Sequence, residues 1–510
     1  MKHIKNYLYL IVLLFASEII FSDEIEEVII KSDYRQTALD NEDSSVFILN
    51  AEEIKGEPIK HFENLSYLIP NLNFAASDSR ARYFQIRGIG ERSGYLGTPN
   101  TSVGFLIDDV DYSGQGGIAT TFDVDQIEVL RGPQGSRIGA NALAGLIYVK
   151  TKDPTEEFEG TSEITYGDYN TLSTGLAFGG PLTNSKNVKF RLALRKDDTD
   201  GFRENLYLNR SDTSRKDETT VRLKLDLEID NKTDAKVLLS QVDMDDPADI
   251  WTIDGSLNTL SDRPGMDSQK TNTFGLKVFR ENRFHQFQSL TSTTDTDVVF
   301  SYDADWGNSD SHAPYTYDYF SETLRARESI SQEFRFVSNE KYKAVRLPID
   351  WVFGISYLKL EETNDRQDDG IYGDPNDPFS PYTSLTTSSS NYSSTNLSVF
   401  GNIEYEFSPF TKISVGLRME DWSAKYSDTN DERFSPSNSM TGGKISLSHS
   451  LDAEKNIFVN YAKGYKQGGF NVGLGLLDSA SEGDLEYDPE FLTNYELGID
   501  MPLSKNSDLR

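Results

Sequence analysis

VRLKLDLEID, residues 221–230, decides how the larger part of this chain folds. Val221, Leu223, Leu225, Leu227 and Ile229 alternate there with Arg222, Lys224, Asp226, Glu228 and Asp230. A period of two puts successive side chains on opposite faces of an extended strand, so one face is aliphatic and the other charged. NVKFRLALRKD (187–197) repeats the pattern, with Val188, Phe190, Leu192 and Leu194 set against Lys189, Arg191 and Arg195. NLSVFGNIEYEFSPFTKISVGLRME (396–420) reads as two more such strands, joined at Ser408–Pro409. Runs of this kind, roughly ten residues each, number about fourteen between Gly160 and Arg510.

Two architectures compete for that pattern: a soluble β-sandwich and a transmembrane antiparallel β-barrel. The runs are longer than the usual sandwich strand. Connections also alternate between very short ones, such as FSPFT and DAEKN, and long polar stretches at 243–268, 303–326 and 363–392. Short periplasmic turns and long external loops produce that asymmetry in outer-membrane barrels, whose outward residues meet lipid. The expected fold is therefore mainly β, a membrane barrel over 158–510.

Composition narrows the function. The chain has 510 residues, a formal charge of −32 and no cysteine. Such a charge repels a nucleic-acid backbone, and the lack of cysteine excludes disulfides and thiolate metal sites. Residues 1–22, MKHIKNYLYLIVLLFASEIIFS, carry Lys2 and Lys5, then an apolar run, then small residues towards Ser22. That order predicts a cleaved signal peptide and export. No later apolar run approaches the ~20 residues of a membrane-spanning helix.

Residues 23–50 read as a polar segment and linker around EEVIIKSD (26–33). Residues 51–153 read as a small α+β domain. Asn50 and Glu53 form a capping-box pattern, and Phe62, Leu65, Leu68 and Ile69 have helical spacing before Pro70. Four glycine-bounded strands follow, in YFQIRGIG, VGFLIDDV, IEVLRG and GLIYVKT. The glycine-rich stretch DQIEVLRGPQGSRIGANALAGLIYVKTKDP (125–154) is no P-loop, because the position that needs glycine after Gly132 is Arg137. Gly88 and Gly90 are followed by Ser93, which breaks the dinucleotide fingerprint. Its glycines and alanines instead suit tight turns and close backbone approach to a surrounding wall.

No catalytic constellation stands out. The five histidines are scattered, and there is no G-x-S-x-G elbow. The Asp-rich segments QVDMDDPADIWTIDGS and DRQDDGIYGDPNDP read as solvated loops, with Ca²⁺ binding as the alternative.

Taken together, IRGIG (86–90), VGFLIDDV (103–110) and IEVLRGPQGSRIGANALAGLIYVKTKDP (127–154) resemble the plug domain of TonB-dependent outer-membrane receptors. EEVIIKSD resembles their TonB box, and ISQEFRF (330–336), VNYAKGYKQGGFN (459–471) and YDPEFLTNYELGID (487–500) resemble their barrel segments. The resemblance implies active import across the outer membrane of a Gram-negative cell by a monomeric, non-enzymatic receptor without cofactor or resident metal. Its implied partners are a TonB-type energy-transducing protein, joined by strand addition at Glu27, Val28, Ile29, Ile30 and Lys31, and outer-membrane lipid. It implies a latch between plug arginines Arg87 and Arg131 and wall carboxylates Glu496 and Glu333; neutralisation of plug carboxylates such as Glu128 is the alternative role for the arginines.

A ferric siderophore is the implied ligand, with cobalamin, an oligosaccharide or another bulky nutrient as alternatives. Tyr83, Arg92, Tyr95 and Tyr112 are candidate contacts, ordinary packing being the other account of each. A passive porin or an adhesin would leave the N-terminal segment and the plug unexplained, and a secreted β-rich enzyme needs a catalytic cluster that the sequence does not offer. Barrels of the family have about twenty-two strands, and the chain departs from them by stopping at Arg510. Fourteen strands are expected to leave too little lumen for the plug, so the sequence reads as lacking its last strands, with a complete smaller barrel as the alternative.

Overall fold

A computed structural model describes residues 29–30, 32, 34–35, 44–56, 61–76, 79–91, 99–339, 342–343, 348–452, 455–470, 486–504 and 507–509. The expected signal peptide lies outside these residues, as do Glu27, Val28, Lys31, Arg92 and Tyr95.

The N-terminal unit is a mixed five-stranded sheet. Its order is Val46–Asn50, Val124–Arg131, Gly145–Thr151, Val103–Ile107 and Val110–Asp111, with only the Gly145 and Val103 strands parallel. The unit takes in Val46–Asn50, upstream of the boundary read at Ala51, because VFIL pairs along Ile127–Leu130. Asn50 then caps the helix Ala51–Gly56: its side chain accepts the Glu53 N–H at 2.9 Å, and Glu53 Oε2 accepts the Asn50 N–H at 2.9 Å. Phe62–Tyr67 winds as a 3-10 helix where helical spacing led us to expect an α-helix. Its His61 cap, accepting the Glu63 N–H through Nδ1 at 3.2 Å, and the nearby Pro70 confine it to a short run of about two turns, and short runs are where 3-10 geometry is common. Phe62, Phe84 and Phe105 meet at centroid distances of 4.9–5.6 Å in the middle of the core.

From Glu159 onward the chain is a closed antiparallel barrel. Among the described residues fourteen of its strands have eight or more residues, and the three-residue strand Ser507–Leu509 stands between Glu490–Ser504 and Glu159–Tyr166. The alternating pattern is realised inside out. Arg191, Arg222, Lys224 and Arg418 are buried on the lumen side, whereas Ile403, Val415, Ile445, Tyr461 and Tyr495 stand opposite one another across five strands, 37–79% exposed. A contiguous exposed apolar row of that kind is a lipid-facing surface, not a solvent-facing one. No helix among the described residues is long and apolar enough to cross a membrane.

Two expectations change. Residues 363–373 and 382–392 of the polar stretch, and the end of 303–326, belong to the strands Thr316–Ser338, Ile349–Gly373 and Tyr382–Ser408, which leaves only 374–381 as the connection. At ~3.3 Å per residue such strands far exceed the ~25 Å apolar band, so their ends are solvated on both faces and lose the apolar alternation. The lumen also holds the plug, contrary to the width argument. Plug backbone lies directly on wall glycines: a Cβ on Gly135 would sit 3.1 Å from the Gly464 Cα, and one on Gly464 would sit 2.7 Å from the Pro133 Cβ.

Candidate functional site: the plug–wall junction and its N-terminal tether

VGFLIDDV folds as a two-residue hairpin between Val103–Ile107 and Val110–Asp111. Asp108 (φ 50°) and Asp109 (φ 69°) both occupy the left-handed region, as a type I′ turn requires and Asp tolerates. The turn delivers two carboxylates to the wall. Asp108 Oδ1 lies 3.3 Å from both Lys150 Nζ and Lys224 Nζ, and Asp109 pairs with Lys277. Burial pushes the Asp108 carboxyl up, but the Lys224 and Lys150 ammonium groups outweigh it and hold the group well below the usual range. Asp153, in the joint after the plug, adds Lys150 at 2.6 Å, Lys236 at 3.2 Å and Lys224.

Further contacts ring the lumen. Asp123 is held by Arg191 through two hydrogen bonds of 2.8 and 2.5 Å. Arg80 reaches Glu218 at 2.6 Å, Arg82 pairs with Asp267, and Glu91 meets Lys466 at 2.9 Å. These ties therefore run in both polarities, plug acid to wall base as well as plug base to wall acid.

The residues singled out from sequence divide. Arg87 Nη2 is 3.3 Å from Glu496 Oε1, while Asn460 donates to Glu496 Oε2 at 3.1 Å. Arg131 stands at the same corner but turns to Ser45 Oγ at 3.2 Å and lies over the Phe47 ring. Burial lowers the Arg131 guanidinium, the Arg87 cation adds to that, and Glu496 opposes it. Glu128 is fully buried and accepts the Ser32 N–H at 3.1 Å and the Gln126 amide at 2.7 Å. Glu333 is elsewhere, paired with Arg335 of its own strand. Sequence reasoning missed Asp108, Asp109, Asp123, Arg191, Lys224 and Lys277. The available signals were the IDDV turn and the inward parity of the wall cations.

The tether begins at Ile29. Its carbonyl accepts the Gln126 amide at 2.8 Å, and Ile30 is completely buried among Leu106, Leu130, Leu146 and Tyr148. Tyr34 stacks on Phe400 at 5.6 Å, with Arg335 at 4.9 Å and Arg137 at 5.8 Å over its ring, and its hydroxyl donates to the Arg137 carbonyl at 3.0 Å. Burial, then the Glu333 carboxylate, push the Tyr34 phenol up to about 12. Arg35 ends the run on Asp350 at 2.9 Å and Ser338 Oγ at 3.2 Å. Both partners lie at the short-turn end of the barrel, so the tether runs from the plug core to that rim.

Tyr83 and Tyr112 do not present their rings to open space. Tyr112 is buried, its hydroxyl donating to Thr273 Oγ1 of the wall at 2.7 Å, and Tyr83 is buried beside Gly114. Packing is the account the geometry gives for both. Among the described residues, no group of three or more His, Asp or Glu side chains is placed to hold a metal ion.

Residues 38–146 match the family model described as the TonB-dependent receptor plug domain, and residues 149–509 match the TonB-dependent receptor-like β-barrel. The ferripyoverdine receptor of Pseudomonas aeruginosa is 26% identical over 159 residues, which are 31% of this chain and 19% of that protein. The vitamin B12 transporter BtuB of Vibrio vulnificus is 30% identical over 89 residues, 18% of this chain and 14% of BtuB. The matched segments thus span less than a fifth of either relative. Among solved structures, the ferric yersiniabactin uptake receptor FyuA from Yersinia pestis superimposes with a TM-score of 0.73 at 18% identity, over 91% of this chain and 70% of FyuA. That likeness concerns the fold.

Proposed function

The chain belongs to the TonB-dependent receptor family, and on that premise we propose that it imports a scarce bulky nutrient, a ferric siderophore, across the outer membrane. Ligand binds the external loops and the plug's outer surface. Binding shifts the tether towards a state in which residues 27–31 are free to pair by strand addition with a TonB-type protein in the periplasm. Work from the inner membrane then displaces part of the plug. No bond of the ligand is made or broken, and a siderophore supplies its own iron ligands, so the protein needs neither catalytic group nor resident metal.

One observation carries the reading: the course of the tether. Ile30 is embedded beside Leu106, at the base of the Asp108–Asp109 hairpin, while Arg35 reaches the short-turn rim. A pull applied at that rim acts, through Gln126, Glu128 and the Ile30 cluster, on the plug sheet that carries the hairpin tying plug to wall. Cobalamin or an oligosaccharide would use the same architecture, and relatives named for a siderophore complex and for vitamin B12 keep both ligand classes open.

The test is deletion of residues 26–32 in exported, outer-membrane protein, with uptake of a panel of ferric chelates and cobalamin measured under iron limitation. Energy-dependent uptake is expected to vanish while ligand binding to de-energised cells persists. Passive flux or adhesion that survives the deletion unchanged would instead assign a porin or adhesin.

A further inference from the structure

A cavity of about 150 Å³ lies between the wall and the hairpin that carries Asp108 and Asp109. Its two sides differ in charge. Among its lining residues the wall contributes five lysines and arginines against two carboxylates, whereas the plug and its joint contribute four aspartates against two cations. Lys224 is neutralised by Asp108 and Asp153, Lys277 by Asp109, and Lys236 by Asp153 and, within the wall, by Asp226. Ser32 and Tyr34 of the tether border the same cavity.

The mechanical and electrostatic features therefore coincide. Ile30 shares one buried apolar cluster with Leu106, which stands one residue before Ile107 and the turn. A pull on the tether acts on the sheet that carries this hairpin, through the Ile30 cluster and the hydrogen bonds to Gln126 and Glu128. As the hairpin leaves, it takes Asp109 from Lys277 and Asp108 from Lys224, whose remaining partner is Asp153 of the joint, and uncovers a wall lined by more cations than carboxylates. Buried cations without counter-charge are costly, and a cleft with low-dielectric walls focuses their field. An anion entering the gap restores the lost pairing; a neutral or cationic solute does not.

We propose that this wall lines the import path and that it passes anionic cargo in preference to neutral or cationic cargo. The proposal rests on the import reading above and names the charge class of its substrate.

The test uses cells carrying the full chain and two radioiron probes: a triply anionic ferric tris-catecholate chelate and an uncharged ferric tris-hydroxamate chelate. Binding is measured on de-energised cells and uptake on energised ones. For the combined variant Lys224→Gln, Lys236→Gln and Lys277→Gln, binding of the anionic chelate is expected to be unchanged and its uptake to fall about tenfold. Uptake equal to wild type, or binding lost in step with uptake, would overturn the proposal. So would wild-type uptake confined to the uncharged chelate.

Should the combined variant fail to assemble in the membrane, Lys277→Gln alone serves, since Lys277 is part-buried and its partner Asp109 is on the hairpin. It should lower anionic uptake about threefold, with Lys277→Arg restoring it, and no change would again overturn the proposal. Failure of the import reading looks different: wild-type cells would show no energy-dependent uptake of either probe or of any chelate in the wider panel.

Discussion

Arg191 of the barrel wall grips Asp123 of the plug through Nε and Nη2, at 2.8 and 2.5 Å, with both side chains almost completely buried. Truncating the base leaves a buried carboxylate whose other cation, Arg222, stands at 3.9 Å. Arg191→Ala is expected to destabilise the seated plug by about 3–5 kcal/mol. Thermal unfolding of the detergent-solubilised protein should register the loss, and cells should become more sensitive to large hydrophilic antibiotics. Unchanged values of both would show that the pair does not hold the plug.

At the Arg87 corner the geometry distinguishes two arginines that sequence alone could not. The double exchange Arg87→Glu with Glu496→Arg should recover most of the uptake lost in either single variant, whereas Arg131→Glu with Glu496→Arg should not. Arg87 is 38% exposed, so the effect on stability should stay below about 1 kcal/mol and the readout must be transport. Recovery by the Arg131 exchange would reassign the pair.

The glycines against the wall predict a graded series. A Cβ on Gly139 would meet Glu420 and come within 2.8 Å of Arg418 Nε, at a φ of 92°. Gly139→Ala is expected to cost about 2–4 kcal/mol, crowding added to backbone strain. Gly88 has a φ of 80° but nothing within 4 Å of its would-be Cβ, so Gly88→Ala should cost only about 1–2 kcal/mol of strain. Denaturant midpoints in one detergent would rank them, and equal losses would mean that contact with the wall does not matter.

His61 predicts a pH dependence. It is buried, its Nε2 donates to the Gly117 carbonyl at 2.8 Å, and Nδ1 accepts from the Glu63 backbone, so the folded ring is neutral. Burial, then the Arg80 cation, lower its pKa from 6.5. Between the folded value and 6.5 the unfolded chain binds more protons, so stability rises with pH in that window. The contribution is complete above 6.5 and is lost as the pH falls below it. His61→Gln should flatten the difference between plug stability at pH 7.5 and at roughly pH 5; an identical slope in both proteins would remove His61 as its source.

Much of this architecture was legible because two of its signals are local. The period-two alternation in residues 188–195 and 221–230 needs no knowledge of neighbours, and neither does the Asn50–Glu53 capping box. The junction was far less legible. Asp108 and Lys224 are separated by 116 positions, and their meeting depends on which wall strand the hairpin tip faces. Arg87 and Arg131 look equivalent in IRGIG and LRGPQG, yet only Arg87 is aimed at Glu496, while Ser45 and Phe47 occupy Arg131. Tyr83 and Tyr112 were open between ligand contact and packing for a related reason: flanking glycines give freedom to the backbone but do not show whether a ring turns outward or, like Tyr112, towards Thr273.

Arg222 and Lys224 face inward because they sit on even-numbered positions of the strand Lys216–Asp230, between aliphatic neighbours that face lipid. Parity is thus a constraint on inheritance. One codon gained or lost inside such a strand would swing every residue beyond it to the opposite side, setting ammonium groups among acyl chains and leucines against the plug. A single insertion inside a stave must therefore be absorbed by a bulge or matched by a second one, while the external connections between staves are free to drift by any number.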